Sequence, residues 1–369
     1  MKTIFDETQK AEIFKKCDRY LNGNYPRSVK DQLADLAAKT QQDEKADTYG
    51  KGPIIEEFEA EVATLLGKPA ALFLPSGTMA QLIALRIWCD RKKQPHFAMH
   101  ATSHLALHEQ NAYEHLHNLK ASFLGDAKKC LTLRDFESAP VDFAEELSAA
   151  LIELPQRELG GVLPTWSDLV AMSEYCRSRE VRFHLDGARL WETAPHYQRS
   201  YAEICSLFDS VYVSFYKGLG GITGAILAGP TDFIAEAKIW QRRYGGNLYR
   251  LFPYVISARE ALKLRLPKMK AYHEKAVEIA RALSSIDGLK IEPSLPVTNM
   301  MHLTFAKPAS EVETAFVQFA KENKVAGFFR LQPADDGASC KAEFNVGDAT
   351  LDLPTANIVQ MFESVLKKS

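Results

Sequence analysis

No uncharged apolar run in this 369-residue chain approaches the roughly eighteen residues that a membrane-crossing helix needs, so no membrane partner is expected. Nor is one sign of charge in excess. Lys plus Arg number 45 against 47 Asp plus Glu, leaving a net charge of −2 that argues against sequence-independent binding to nucleic acid or an anionic surface. The most basic stretch, LKLRLPKMKAYHEK (262–275), reads as a solvated helix face. Cysteine is scarce: six residues, none in C-x-x-C spacing, which excludes a disulfide framework and a thiolate zinc site. That usage suits a reducing compartment, and the opening MKTIFDETQKAEIFKK has no apolar core of signal-peptide length, so a cytoplasmic protein is expected. Internal repeats and low-complexity segments are also missing, which excludes solenoids and arrays.

What the chain does have is alternation. IIEEFEAEVATLLG (54–67) carries apolar residues at helical spacing, then AALFLP (70–75) is strand-like, and SGTMAQLIALRIW opens a helix. HFAMH, ASFLG, AALIEL, VRFHLD, VYVSFY and GAILAG follow as short apolar runs, several separated by helical stretches such as SDLVAMSEYCRSRE. This order predicts an α/β fold with a mainly parallel sheet between helices. Near residue 254 the pattern changes to a long helical run (254–285), then VTNMMHLTF, VAGFF and KAEFNV with helices at 309–323 and 354–367. The expected organisation is an N-terminal segment or arm (1–50), a large α/β domain (51–255) and a smaller C-terminal α+β domain (256–369).

Ligands in open α/β sheets sit at the carboxyl ends of strands, beside helix N-termini. Three features fall at such ends. In LPSGT (74–78), Ser76, Gly77 and Thr78 lie where a strand gives way to a helix, a pattern suited to a phosphate or, equally, to a plain N-cap. In RFHLDGARLWE (182–192), Asp186 ends an apolar run with Arg189 three residues on, as a site or as a local ion pair. In VYVSFYKGLGG, Lys217 ends the next run among glycines. A phosphate-type turn, a carboxylate and a lysine at successive strand ends, in that order, point to a site rather than to three separate structural devices.

That order resembles the fold-type I enzymes that use pyridoxal 5'-phosphate (PLP), and within them the threonine aldolase and β-eliminating lyase family. The resemblance runs from about residue 49 to 250. It is carried by YGKGPIIEEFEAEVATLLGKPAALFLPSGTMAQLIAL (49–85), SHLALHE (103–109), GGVLP (160–164), HLDGARLWE (184–192) and KGLGG…GAILAG. It implies that Lys217 holds the cofactor covalently, an amine that must lose its proton to react. Asp186 would pair with the pyridine nitrogen, His104 would stack on the ring and relay a proton, and Ser76, Gly77 and Thr78 would hold the phosphate. Arg250 in GGNLYR would reach the phosphate, often from a neighbouring subunit, so a homodimer or homotetramer is expected. Arg189 would grip the substrate carboxylate in its planar fork. Anchored so, a β-hydroxy-α-amino acid stands its Cα–Cβ bond perpendicular to the cofactor plane and splits into glycine and an aldehyde.

The chain also departs from that family. IELPQRELGGVLP keeps Glu153 but has no histidine where the family has Glu-Asn-x-His, and it is two residues longer around Gln156 and Arg157. YLNGNYPRS offers Asn22, Asn24 and Arg27 in place of a Ser-Asp pair, and KAEFNVGD has Lys341 and Glu343 near the place of a second carboxylate-binding arginine; Arg330 is the candidate substitute. Tyr25, Tyr49, Trp191 and Tyr216 are aromatic candidates for the mouth of the site or for the core. The expected activity is aldol cleavage of L-threonine or L-allo-threonine-like substrates; the alternatives are a PLP-dependent β-eliminating lyase, an aminotransferase, or a non-catalytic binding protein of the same fold. No metal is expected.

Overall fold

The computed structural model describes residues 5–335 and 337–367. The chain divides into two compact units, one of residues 28–158 and 163–267, the other of residues 1–27, 159–162 and 268–369. The divisions fall after Arg27 and Pro267 rather than at residues 50 and 255, and the helix Val29–Lys39 belongs to the larger unit.

The larger unit is built on seven strands: β1 (Ala70–Leu74), β2 (His96–His100), β3 (Lys120–Leu124), β4 (Ala149–Glu153), β5 (Arg182–Gly187), β6 (Ser210–Ser214) and β7 (Ala225–Gly229). Their order is β1-β7-β6-β5-β4-β2-β3. Every pairing is parallel except the two made by β7, which runs antiparallel to both neighbours. This is the mainly parallel α/β sheet expected from the alternating runs. β4, β6 and β7 are buried along their whole length, which is why they read as continuous apolar runs and not as alternating ones.

Helices cover both faces. On β1, Leu72 and Leu74 pack into a core with Leu82, Leu85 and Trp88 of α2 (Gly77–Lys92) and with Phe233 and Ile234 of a helix at Thr231–Arg243. Phe73, pointing the other way, meets Phe58 of α1 (Pro53–Leu65) at 6.2 Å between ring centroids. The long helical run near 254–285 is two helices, Phe252–Arg265 and Met269–Leu283, parted by a short turn at Leu266–Lys268 that contains Pro267.

The smaller unit has an antiparallel sheet of β8 (Leu289–Glu292), β9 (Met300–Phe305), β10 (Gln332–Pro333) and β11 (Cys340–Asn345), ordered β10-β11-β9-β8. Helices Ala309–Asn323 and Thr355–Lys367 pack with it through Phe305, Phe316 and Phe362, whose centroids lie 5.9–6.0 Å apart. Val325–Ala326 pairs in parallel with Arg19–Tyr20, so N-terminal residues complete this α+β unit.

Candidate active site

Three chain reversals at the carboxyl ends of the parallel strands bring the site together. The first is the turn from β1 into α2. Ser76 is the N-cap of α2 with extended backbone, and Gly77 starts the helix. A Cβ on Gly77 would lie 2.0 Å from the Tyr212 hydroxyl, so only glycine lets the helix start approach β6 this closely. The second is the end of β5, where Asp186 is 2% exposed and its Oδ1 accepts the Ala188 N–H at 3.1 Å. The third is the loop after β6, in which the Gly221 N–H donates to the Phe215 carbonyl at 2.8 Å and so closes a turn that contains Lys217.

Gly77, Thr78, Gln81, His104, Glu109, Asp186, Ala188, Tyr212, Tyr216 and Lys217 line one cavity. A roomier cleft of about 650 Å³, lined by Trp88, Arg91, Arg177 and Arg182 among others, lies at the amino ends of the strands and contains none of these groups. The smaller cavity holds the titratable cluster and is where chemistry is expected.

Burial lowers the Lys217 pKa, and the positive charges of Arg189 and Arg157 lower it further, against the pull of Asp186 and Glu153. Lys217 is thereby held closer to the neutral amine that can act as a nucleophile. Glu153 and Asp186 stand opposite each other on β4 and β5. Burial raises both carboxyls; the charge of Asp186 raises Glu153 further, to about 7, and that of Glu109 raises Asp186. Glu153 accepts backbone N–H bonds from His104 (3.3 Å) and Arg157 (3.2 Å). His104 Nδ1 faces Glu109 Oε1 at 3.3 Å, and its ring lies 5.1 Å from that of His108, which pairs with Glu158 at 2.9 Å.

The other residues singled out in the sequence lie elsewhere. Arg189 is half-buried just past β5 and acts on Lys217 through its charge, without lining the cavity. Ser76 does not line it either. Arg250 donates to the Asp47 carbonyl and to Thr48 Oγ1, with its guanidinium 4.4 Å from the Tyr249 ring centroid. Arg330 belongs to the smaller unit, exposed, and pairs with Glu7 at 2.6 Å. Of the aromatic candidates, Tyr216 lines the cavity, whereas Trp191 is core, donating to the Ser214 carbonyl at 2.8 Å. Tyr49 packs on Tyr249, and Tyr25 donates to Asp352 in the smaller unit. Sequence reasoning gave no role to Gln81, Glu109 or Tyr212. Gln81 was open to discovery, because it lies four residues after Gly77 and therefore on the same face of α2.

The model of the beta-eliminating lyase family matches residues 31–306, three quarters of the chain. This chain belongs to that family. An aldolase of Penicillium aethiopicum, vrtJ, is 31% identical over 289 residues, which cover 75% of this chain and 71% of that protein. The low specificity L-threonine aldolase of Escherichia coli K12 is 27% identical over 281 residues, covering 76% of this chain and 82% of that one. A crystal structure from Listeria monocytogenes, provisionally described as an L-allo-threonine aldolase, shares 44% identity over 98% of this chain and 99% of that one, with a TM-score of 0.92.

The residues present fit the PLP that membership implies. Gln81 Nε2, Ser103 Oγ and Glu109 Oε2 are buried without a hydrogen-bond partner among the described residues; Gln81 and Glu109 line the cavity, and Ser103 precedes His104. Buried polar atoms left unmet in a protein interior are expected to meet a ligand or water. A half-buried lysine of lowered pKa, a buried carboxyl and a helix start open to a phosphate complete a donor set suited to this cofactor.

Proposed function

We propose that this member of the family is a PLP-dependent carbon–carbon lyase that cleaves β-hydroxy-α-amino acids, L-threonine and L-allo-threonine among them, to glycine and an aldehyde. The observation that carries the reading is that Lys217, Asp186, His104 and the Gly77–Thr78 helix start line one cavity, with the charge of Arg189 acting on the lysine. The bound cofactor supplies an electron sink for the pair of electrons left at Cα when the Cα–Cβ bond breaks.

The protein's part is to hold and orient. Lys217 would anchor the cofactor, Asp186 would balance the charge of its ring nitrogen, and His104, whose Nδ1 faces Glu109, would pack against its ring. Thr78 and the free N–H groups at the start of α2 take the phosphate. Arg189 takes the substrate carboxylate and so fixes which Cα bond stands upright. The β-hydroxyl must lose a proton as the aldehyde forms. His104, which lines the cavity, and Glu153, which accepts the His104 backbone N–H and whose pKa burial raises to about 7, are the groups able to take that proton.

A homodimer or homotetramer accompanies this reading. Val29 and Leu33 on a helix without a buried residue, and Tyr49 and Tyr249 beside Arg250, are 54–73% exposed, which supports a covered face in an assembly. Six unpaired cysteines support a cytoplasmic setting.

Incubation with L-threonine, L-allo-threonine and phenylserine tests the reaction, with glycine and aldehyde assayed separately from ammonia and keto acid. Equimolar glycine and aldehyde are expected. Ammonia with keto acid and no glycine would move the assignment to β-elimination.

A further inference from the structure

Gln81, His184, Ser210 and Trp88 form a buried row that leads through the larger unit to the cavity. Gln81 and Trp88 are seven residues apart on α2, hence on one helix face. His184 and Ser210 are register partners on β5 and β6. His184 also lies two residues before Asp186, on the same side of its strand. The row is linked by three short bonds: Trp88 Nε1 to Ser210 Oγ (2.8 Å), Ser210 Oγ to His184 Nδ1 (2.7 Å), and His184 Nε2 to Gln81 Oε1 (2.6 Å).

The direction of these bonds follows from the donors available. An indole N–H only donates, so Ser210 Oγ accepts from Trp88. The Gln81 amide oxygen also only accepts, so His184 Nε2 donates to it and Nδ1 is left as the acceptor of the Ser210 hydroxyl hydrogen. Burial pushes the His184 pKa down to about 3, against a smaller opposing pull from the Ser210 backbone, so the ring is neutral and carries its single proton on Nε2. That proton goes to Gln81 Oε1. The Gln81 NH2 is therefore turned to the other side, where the residue lines the cavity beside Asp186 and Lys217, and where Nε2 has no partner among the described residues. Gln81 is 1% exposed and His184 0%. A buried donor of this kind, fixed by three preceding hydrogen bonds, is preorganised to meet an acceptor.

We propose that Gln81 is a cofactor-binding residue, its amide N–H held toward an acceptor on bound PLP by His184, Ser210 and Trp88, which act as positioning residues. This rests on the reading that PLP occupies the cavity, and the two fail separately. If wild-type protein takes up no PLP, that reading falls. If it takes up PLP and the variants behave like it, only the present inference falls.

The test is PLP titration of the full-length apo-protein, followed by its visible absorbance, with nitrogen-15 NMR of the histidine rings. Gln81→Leu should weaken PLP binding about ten-fold, the loss of one hydrogen bond in a buried site, and shift the visible band. Gln81→Glu, which keeps the acceptor for His184 but removes the donor, should bind more weakly still. The His184 ring should show the Nε2–H tautomer at neutral pH. Unchanged PLP affinity and absorbance in both variants would overturn the proposal. So would an Nδ1–H tautomer of His184, because Gln81 would then turn its oxygen to the cavity. Melting temperatures of the apo-variants separate a folding defect from the binding effect.

Discussion

The charge of Arg189 acts on Lys217. The guanidinium helps to hold the lysine amine below its ordinary pKa, and in the proposed mechanism it grips the substrate carboxylate. Arg189→Ala should therefore reduce kcat/KM for L-threonine by about 10- to 100-fold, the worth of one or two hydrogen bonds to a charged group, with much of the loss in KM. Steady-state kinetics at fixed pH check this, and an unchanged KM would place the substrate carboxylate elsewhere. Asp186 and Lys217 were legible in the sequence because each breaks an apolar strand with a charge, which a core rarely tolerates. His184 was not legible, since one histidine inside VRFHLD looks the same whether it is neutral packing or the centre of a hydrogen-bonded row. Arg157 was visible only as part of an insertion, yet its charge reaches Lys217 in the folded chain.

At the scale of elements, α1 is tied to the sheet by a buried carboxyl. Glu59 is 7% exposed and its Oε1 accepts the Phe73 N–H of β1 at 2.8 Å, while burial pushes its pKa up to about 7. The folded pKa lies above the unfolded value near 4.5, so the native state binds more protons between these values. Stability contributed by this group is full below pH 4.5 and falls as the pH rises toward 7. Glu59→Gln keeps an acceptor for Phe73 without the charge, and should raise stability at pH 8 by up to about 3 kcal/mol while changing little at pH 4.5. Denaturant unfolding at the two pH values measures the difference; equal effects at both would show that the charge is not the cause. The seven runs of the large sheet were readable because buried strands leave short apolar segments between helical ones. The reversal of β7 was not, since GAILAG is as apolar as its parallel neighbours and nothing in its composition records direction. Gln332–Pro333, a two-residue exposed strand, gave no apolar signal at all.

At the scale of the whole molecule, the helix Val29–Lys39 buries none of its residues, and Arg250 is held by Asp47 and Thr48 away from the cavity lining. Both fit a chain that works as a symmetric assembly. Light scattering of the holoenzyme should give the mass of a dimer or tetramer, and Leu33→Glu should shift it toward the 41.3 kDa protomer. A fully active protomer would remove the neighbouring-subunit role suggested for Arg250.

All of this chemistry converges on one amine. Borohydride reduction of the purified, PLP-loaded protein, followed by peptide mapping, tests that most directly. A single reduced phosphopyridoxyl group is expected on the peptide that contains Lys217, lost in Lys217→Ala together with glycine production. A label on another lysine, or no label after saturation with PLP, would contradict it.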